Sequence, residues 1–138
     1  MIHFYDSSAL AKRYMGEAGS ERVEALYFGS DQNAVSVITR TEIACALARQ
    51  ISDPRAHLEQ LHRDLERSIE IEITPEVAAD SVALGVKHRM RGCDALQLAS
   101  ALALEKATGR PVRFICADGD LNRAARAEGL SVLDPGRV

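Results

Sequence analysis

Four acidic residues, Asp6, Glu42, Asp94 and Asp118, lie far apart in the chain but share a kind of position. Asp6 ends the apolar run Ile2-His3-Phe4-Tyr5, and Asp118 follows Phe114-Ile115-Cys116-Ala117. Glu42 comes soon after Ala34-Val35-Ser36-Val37-Ile38, and Asp94 opens a helical run. If the apolar runs are parallel strands, their carboxyl ends share one sheet edge, which is where such folds bind ligands. Carboxylates gathered there repel one another, and burial further disfavours their charged forms. A divalent cation that prefers hard oxygen ligands, Mg²⁺ or Mn²⁺, removes both costs. Such a centre suits phosphodiester hydrolysis, because a metal ion makes water nucleophilic and stabilises charge on the phosphoryl oxygens.

Each acid also has a simpler role. Asp6 and Asp118 could be helix N-caps, Glu42 the N3 member of a capping box, and Asp94 an acid favoured by a helix N-terminus. Those four roles together do not explain why all four acids should converge on one sheet edge. The three cysteines, Cys45, Cys93 and Cys116, form no CxxC pair, and the four histidines form no HxxxH or HExxH pattern. This argues against a disulfide framework and a thiolate zinc site and leaves oxygen as the ligand type.

The elements that must position these acids alternate in type. Short apolar strands are expected at residues 2–5, 34–38, 112–116 and 131–133, and a half-exposed edge strand at 69–73, where Ile69-Glu70-Ile71-Glu72-Ile73 alternates strictly. Helices are expected at 7–14, 20–28 with Gly29 as its C-cap, 39–51 with Thr39 as N-cap and Glu42 at N3, and 54–68 with Leu58, Leu61 and Leu65 on one face. Thr74-Pro75-Glu76 begins another, broken at Gly92; a helix follows at 93–108, and a last one at 119–128 is closed by Gly129. Leu98, Ala101 and Leu102 share a face with Asp94, which turns Asp94 toward the core edge rather than open solvent. Alternating strands and helices predict an α/β domain with a mainly parallel sheet. Val23, Leu26, Tyr27 and Phe28 read equally as core or as a dimer face.

With 138 residues, the chain has the size of one domain, and 46% hydrophobic against 27% charged residues is an ordinary globular composition. No apolar run approaches the ~20 residues that span a bilayer, and residues 1–6 lack a basic segment and a long apolar stretch, so a cytoplasmic protein is expected. The net charge of −3 does not exclude a nucleic-acid partner: with the four acids set aside, 16 acidic residues face 17 basic ones, of which only Lys12, Lys87 and Lys106 are lysine. Lys12, Arg13, Arg40 and Arg91 are candidates for phosphate contacts, each with a solvated surface side chain as its alternative. His88 and Cys93 read as structural. Few aromatics and no tryptophan limit base stacking.

Tyr5-Asp6-Ser7-Ser8-Ala9-Leu10, Thr41-Glu42-Ile43, Asp94-Ala95-Leu96-Gln97-Leu98-Ala99-Ser100-Ala101 and Ala117-Asp118-Gly119-Asp120-Leu121, closed by Glu128-Gly129-Leu130-Ser131-Val132-Leu133, resemble the PIN-domain ribonucleases, more narrowly the VapC-type toxins of type II toxin–antitoxin pairs. The likeness runs in order through the whole chain, residues 1–138, as a single PIN domain. It implies a five-stranded sheet of order 3-2-1-4-5 with helices on both faces, one or two Mg²⁺ or Mn²⁺ ions, and endonuclease action on RNA. Asp6 and Asp94 would be the main metal ligands. Glu42 would bind metal or hold the attacking water, and Asp118 would complete the site. Ser7 or Ser8 would orient Asp6. The resemblance also implies a homodimer and a small antitoxin whose C-terminal tail occupies the active-site groove. One departure is Cys116, where the family often has Thr or Ser. A thiol is a weak donor, so Asp120 is kept beside Asp118 for the fourth acid.

Other readings make different demands. A haloacid-dehalogenase-type phosphatase needs a second Asp two residues after the first, where Ser8 stands; a receiver domain needs a lysine after a late strand, and none is there. A PIN-like scaffold without activity, binding RNA or protein, and a PIN nuclease of RNA processing remain as alternatives.

Overall fold

In a computed structural model, residues 1–29 and 32–137 are described. Five strands, β1 (Ile2–Tyr5), β2 (Gln32–Ser36), β3 (Ile69–Ile71), β4 (Val112–Ile115) and β5 (Ser131–Leu133), form one sheet of order β3-β2-β1-β4-β5. Every neighbouring pair is parallel, so the sheet is wholly rather than mainly parallel. Seven α-helices connect them: α1 (Ser7–Leu10), α2 (Ser20–Gly29), α3 (Ile38–Gln50), α4 (Arg55–Glu66), α5 (Pro75–His88), α6 (Gly92–Thr108) and α7 (Gly119–Ala127).

The side-chain alternation of the strands makes two cores, one on each sheet face. Ile2, Phe4, Ala34, Val112 and Phe114 face α5, α6 and α7, and meet Leu84, Leu98, Leu104, Leu121 and Ala125. The Phe4 and Phe114 rings stack with centroids 5.8 Å apart. Tyr5, Val35 and Ile115 face the other way, against Leu10, Val23, Ile43, Leu47, Leu61 and Leu65 of α1 to α4. Helices therefore cover both faces, and the strands' carboxyl ends are left open at one edge.

The element boundaries differ from the sequence expectation where tertiary contacts override local signals. The first helix stops at Leu10 and continues as a 3-10 turn over Ala11–Arg13. β2 begins at Gln32 and ends at Ser36, and α3 starts at Ile38 with Val37 as its N-cap. Thr39 is therefore not the cap, and Glu42 is not at N3. Thr39 is fully buried inside the first turn, and its hydroxyl bonds other helices instead of its own N-terminus. Gly29 is the last helical residue of α2 rather than a residue beyond it, and residues 30 and 31 lie outside the description. Gly129, by contrast, has φ +93° after α7, as a left-handed stop requires. Thr74 caps α5 through a 3.1 Å bond from the Val77 N–H, with Pro75 leading the helix.

β3 is the short edge strand that the Ile-Glu alternation predicts. Val23 and Tyr27 of α2 are core and Leu26 packs against them, while Phe28 is left exposed. Gly85 on α5 faces Ala95 on α6: a β-carbon there would stand 3.3 Å from the Ala95 Cβ. Its absence lets the two helices lie close and fixes the start of α6, where Asp94 sits. Among the described residues, no helix is long and apolar enough to cross a membrane.

Candidate acidic active site

Asp6 follows β1 directly and caps α1, accepting from the Ser8 N–H at 3.1 Å. The Ser8 hydroxyl adds a 2.5 Å bond to the same Oδ2, and the Cys116 thiol stands 3.6 Å from it. Asp6 is 4% exposed. Its pKa is pushed up to about 6, first by burial and then, against the Ser8 bonds, by the charges of Asp94 and Glu42.

Glu42, on α3, turns inward. Its Oε1 accepts from the Ser7 hydroxyl at 2.8 Å and from the Gln97 amide at 2.9 Å. Asp94 lies in the first turn of α6, half-buried, with Arg91 Nε 3.6 Å from its Oδ2. Its pKa is raised by burial, then by the charge of Asp118 and, more weakly, Glu42, with Arg91 opposing. Asp118 caps α7: its Oδ1 accepts from the backbone N–H groups of Asp120 at 2.9 Å and Leu121 at 3.1 Å. The simple capping roles of Asp6 and Asp118 are thus real, and they coexist with membership of the acidic group. The capping-box role of Glu42 is not seen.

Among the described residues, Asp6, Glu42 and Asp118 each accept hydrogen bonds through one oxygen, Oδ2, Oε1 and Oδ1, while Asp94 has only the Arg91 ion pair at its Oδ2. The other oxygen of each is uncommitted. No three His, Cys, Asp or Glu side chains among the described residues form a ready cage for an ion. The donor set is all oxygen and fits Mg²⁺ or Mn²⁺.

A cleft of about 410 Å³ opens beside the acids, lined by Asp94, Asp118, Asp120 and the basic residues Arg89, Arg91 and Arg123. Asp6 and Glu42 are not among its lining residues. Asp120 is largely exposed and paired with Arg123. Asp118 is half-buried and couples electrostatically to Asp94.

Of the basic residues singled out from the sequence, only Arg91 lines the cleft. Arg13 is a correction: its side chain is buried, bonded to Asp64 at 2.7 and 3.2 Å, with its guanidinium 4.7 Å from the Phe28 ring centroid. Held there, it is not among the residues lining the cleft. Lys12 pairs with Glu17, and Arg40 is held by Glu70 at 3.1 Å and His62 at 2.6 Å. His88 is bonded to Glu128 at 2.8 Å and also lines the cleft, and Cys93 is exposed.

Gln97 was missed. Its Nε2 donates toward Ser7, Thr39 and Glu42 at 2.9, 3.0 and 2.9 Å. A polar residue one turn after Asp94 within the otherwise apolar run of α6 was the available signal. Cys116 does more than a weak donor: it is buried, and its sulfur accepts from the Asp118 N–H at 3.3 Å. It thereby joins the loops that carry Asp6 and Asp118. Burial pushes its thiol pKa well up, with the Asp6 charge adding to the shift.

A wholly parallel sheet of order β3-β2-β1-β4-β5 with helices on both faces defines the fold class. Residues 4–127 match the PIN domain. Ribonuclease VapC45 of Mycobacterium tuberculosis (strain CDC 1551 / Oshkosh) is 34% identical over 146 positions, covering 96% of this chain and 97% of that protein. A toxin-antitoxin complex from Klebsiella pneumoniae contains a chain with TM-score 0.70 and 25% identity, covering 99% of both chains. VapBC2 from Rickettsia felis, bound to a DNA fragment from their promoter, shares the fold with TM-score 0.69 and 14% identity over 96% of this chain and 98% of that one. The chain belongs to the PIN-domain family, in its VapC-type branch.

Proposed function

We propose that this protein is a metal-dependent endoribonuclease, the toxin of a VapBC-type toxin–antitoxin pair, acting in the cytoplasm. The observation that carries the reading is four carboxylates close enough to shift one another's ionisation, three of them oriented through one oxygen by hydrogen bonds. The names of the relatives, a ribonuclease and a toxin-antitoxin complex, support it.

Asp6 and Asp94 would hold one or two Mg²⁺ or Mn²⁺ ions, with Glu42 and Asp118 completing the set directly or through water. Such an ion supplies Lewis-acid polarisation of the scissile phosphate and charge neutralisation. The protein's own groups do the rest. Ser8 and Cys116 fix Asp6, while Ser7 and Gln97 fix Glu42 so that its free Oε2 can accept a hydrogen bond from the attacking water. The backbone of α7 fixes Asp118, which we assign as the fourth acid over the exposed, Arg123-paired Asp120. A new O–P bond forms as the bridging P–O bond breaks, and the leaving oxygen takes a proton. A homodimer, and an antitoxin tail in the cleft, complete the proposal; the cleft's carboxylates offer such a tail counter-charges for basic side chains.

The test is cleavage of total RNA by protein freed of any partner, in Mn²⁺, Mg²⁺ or EDTA, beside Asp94→Asn. Discrete cuts that need metal and vanish in the variant are expected. No cutting by folded protein in any metal would leave the scaffold reading. Equal cutting by the variant would mark a contaminant. An antitoxin gene adjacent to this one separates a toxin from a nuclease of RNA processing.

A further inference from the structure

The end of α5 carries three consecutive basic residues, Lys87, His88 and Arg89. The first two are drawn to one carboxylate: Lys87 Nζ and His88 Nε2 each lie 2.8 Å from Glu128 Oε2. Arg89 has no side-chain acceptor among the described residues, is exposed, and lines the cleft that Asp94 and Asp118 border. The other two cleft arginines are partly neutralised, Arg123 by Asp120 and Arg91 by Asp94. Arg89 is the uncompensated cation of that wall.

Its backbone gives an independent reason to ask why it is there. Arg89 has φ 54° and ψ 46°, and among the described residues it is the one non-glycine with positive φ. It stands at the C-terminal cap of α5, and the following Met90 N–H returns to the Gly85 carbonyl at 3.0 Å. Glycine occupies this left-handed position at no steric cost, whereas a residue with a β-carbon is strained. The α5–α6 connection thus carries a long cation where the fold alone would be better served by no side chain at all.

A phosphodiester strand approaching four carboxylates is repelled by them; one divalent ion offsets half of their charge and two offset it all, but the strand's own phosphates still need cations along the cleft. A guanidinium lining that cleft supplies one, with a planar fork matched to phosphate oxygens. We propose that Arg89, flanked by Arg91 and Arg123, is a substrate-positioning residue that grips a phosphate of single-stranded RNA next to the bond to be cut. This rests on the ribonuclease reading. Arg89 touches no metal-holding carboxylate, so its role is to seat the strand, not to take part in bond breaking.

Arg89→Gly is the informative variant, because it removes the fork and relieves the backbone strain together. Binding of a labelled single-stranded RNA would be followed in the Asp94→Asn background with Mg²⁺, across 50 to 200 mM salt, with cleavage kinetics in the otherwise wild-type chain. Arg89→Gly should weaken binding about three- to tenfold at ~0.1 M salt and flatten the plot of log affinity against log salt by about 0.7, the loss of one phosphate contact on a single strand. KM should rise with kcat nearly unchanged, and the melting temperature should be no lower than wild type. Arg89→Lys should recover part of the affinity. Unchanged affinity and salt slope in Arg89→Gly, from a protein whose wild type cuts RNA, would overturn this proposal and leave the ribonuclease reading intact. Weaker binding with an unchanged salt slope would also overturn it, since a structural defect has that signature. A wild type that neither binds nor cuts RNA would remove both.

Discussion

The Nε2 of buried Gln97 lies 2.9 Å from Oε1 of Glu42, and this bond ties α6, which carries Asp94, to α3, which carries Glu42. The same amide reaches Ser7 beside Asp6. One side chain thus couples the frames of three of the four acids.

Gln97→Leu should therefore damage the site more than the fold. Three polar partners lose a buried donor, at a cost of about 1–3 kcal/mol in stability. Glu42 loses one of its two anchors, and kcat should fall by about tenfold or more, as for groups that hold catalytic residues in place. Steady-state cleavage beside thermal melting checks both. Wild-type kcat in the variant would show that Ser7 alone suffices to orient Glu42.

Asp94→Asn should abolish metal-dependent cleavage while leaving the metal-free protein at least as stable. Burial and the Asp118 and Glu42 charges already disfavour ionised Asp94, so a neutral amide relieves that cost. Added Mn²⁺ should raise the melting temperature of the wild type and not of the variant, since only a ligand bound to the folded state shifts it. Equal shifts in the two proteins would place the ion elsewhere.

The metal-free protein should become more stable as pH falls from about 7 to 5. Asp6 titrates near 6 when folded, above its ordinary value of 3.8. Its raised pKa contributes stability that is complete below ~4 and is lost as pH rises through about 6. The size is on the order of 2–3 kcal/mol, or several degrees of melting temperature at about 3–5 °C per kcal/mol. Asp6→Asn should lack this rise. Metal affinity should run the opposite way, falling as protons compete below pH 6. Calorimetry at several pH values, with and without Mn²⁺, reads both trends.

Asp64 sets the acid limit. Burial pushes its pKa up, but bonds from Arg13, Tyr14 and Gln60 outweigh this and hold it below 3.8. Stability from this group is present above pH ~4 and lost as pH falls through the lowered value. Arg13→Leu leaves Asp64 buried without its cation and should cost about 3–5 kcal/mol, read as a large fall in melting temperature at pH 7. A small effect would mean that water replaces the guanidinium. Since Arg13 stands apart from the cleft, the folded variant should keep its affinity for RNA.

The strand–helix alternation, the edge character of β3 and the Thr74-Pro75 helix start were legible in the sequence, because hydrophobic period and capping chemistry act within a few residues. Asp6, Glu42, Asp94 and Asp118 could be picked out as one candidate group, since parallel strands bring their carboxyl ends to one edge, and their charges do act on one another. The partners of those acids could not. Thr39 looks like a cap, yet it is buried against Gln97, 58 positions away. Arg13 looks like a cleft cation, yet Asp64, 51 positions away, takes it inward. Arg89 gave no local sign of its left-handed backbone or of the cleft it faces. Sequence determines local periodicity and thereby which carboxylates can meet. Which donor satisfies each buried oxygen, and which cation stays free, is decided only when distant segments compete for the same space and charge.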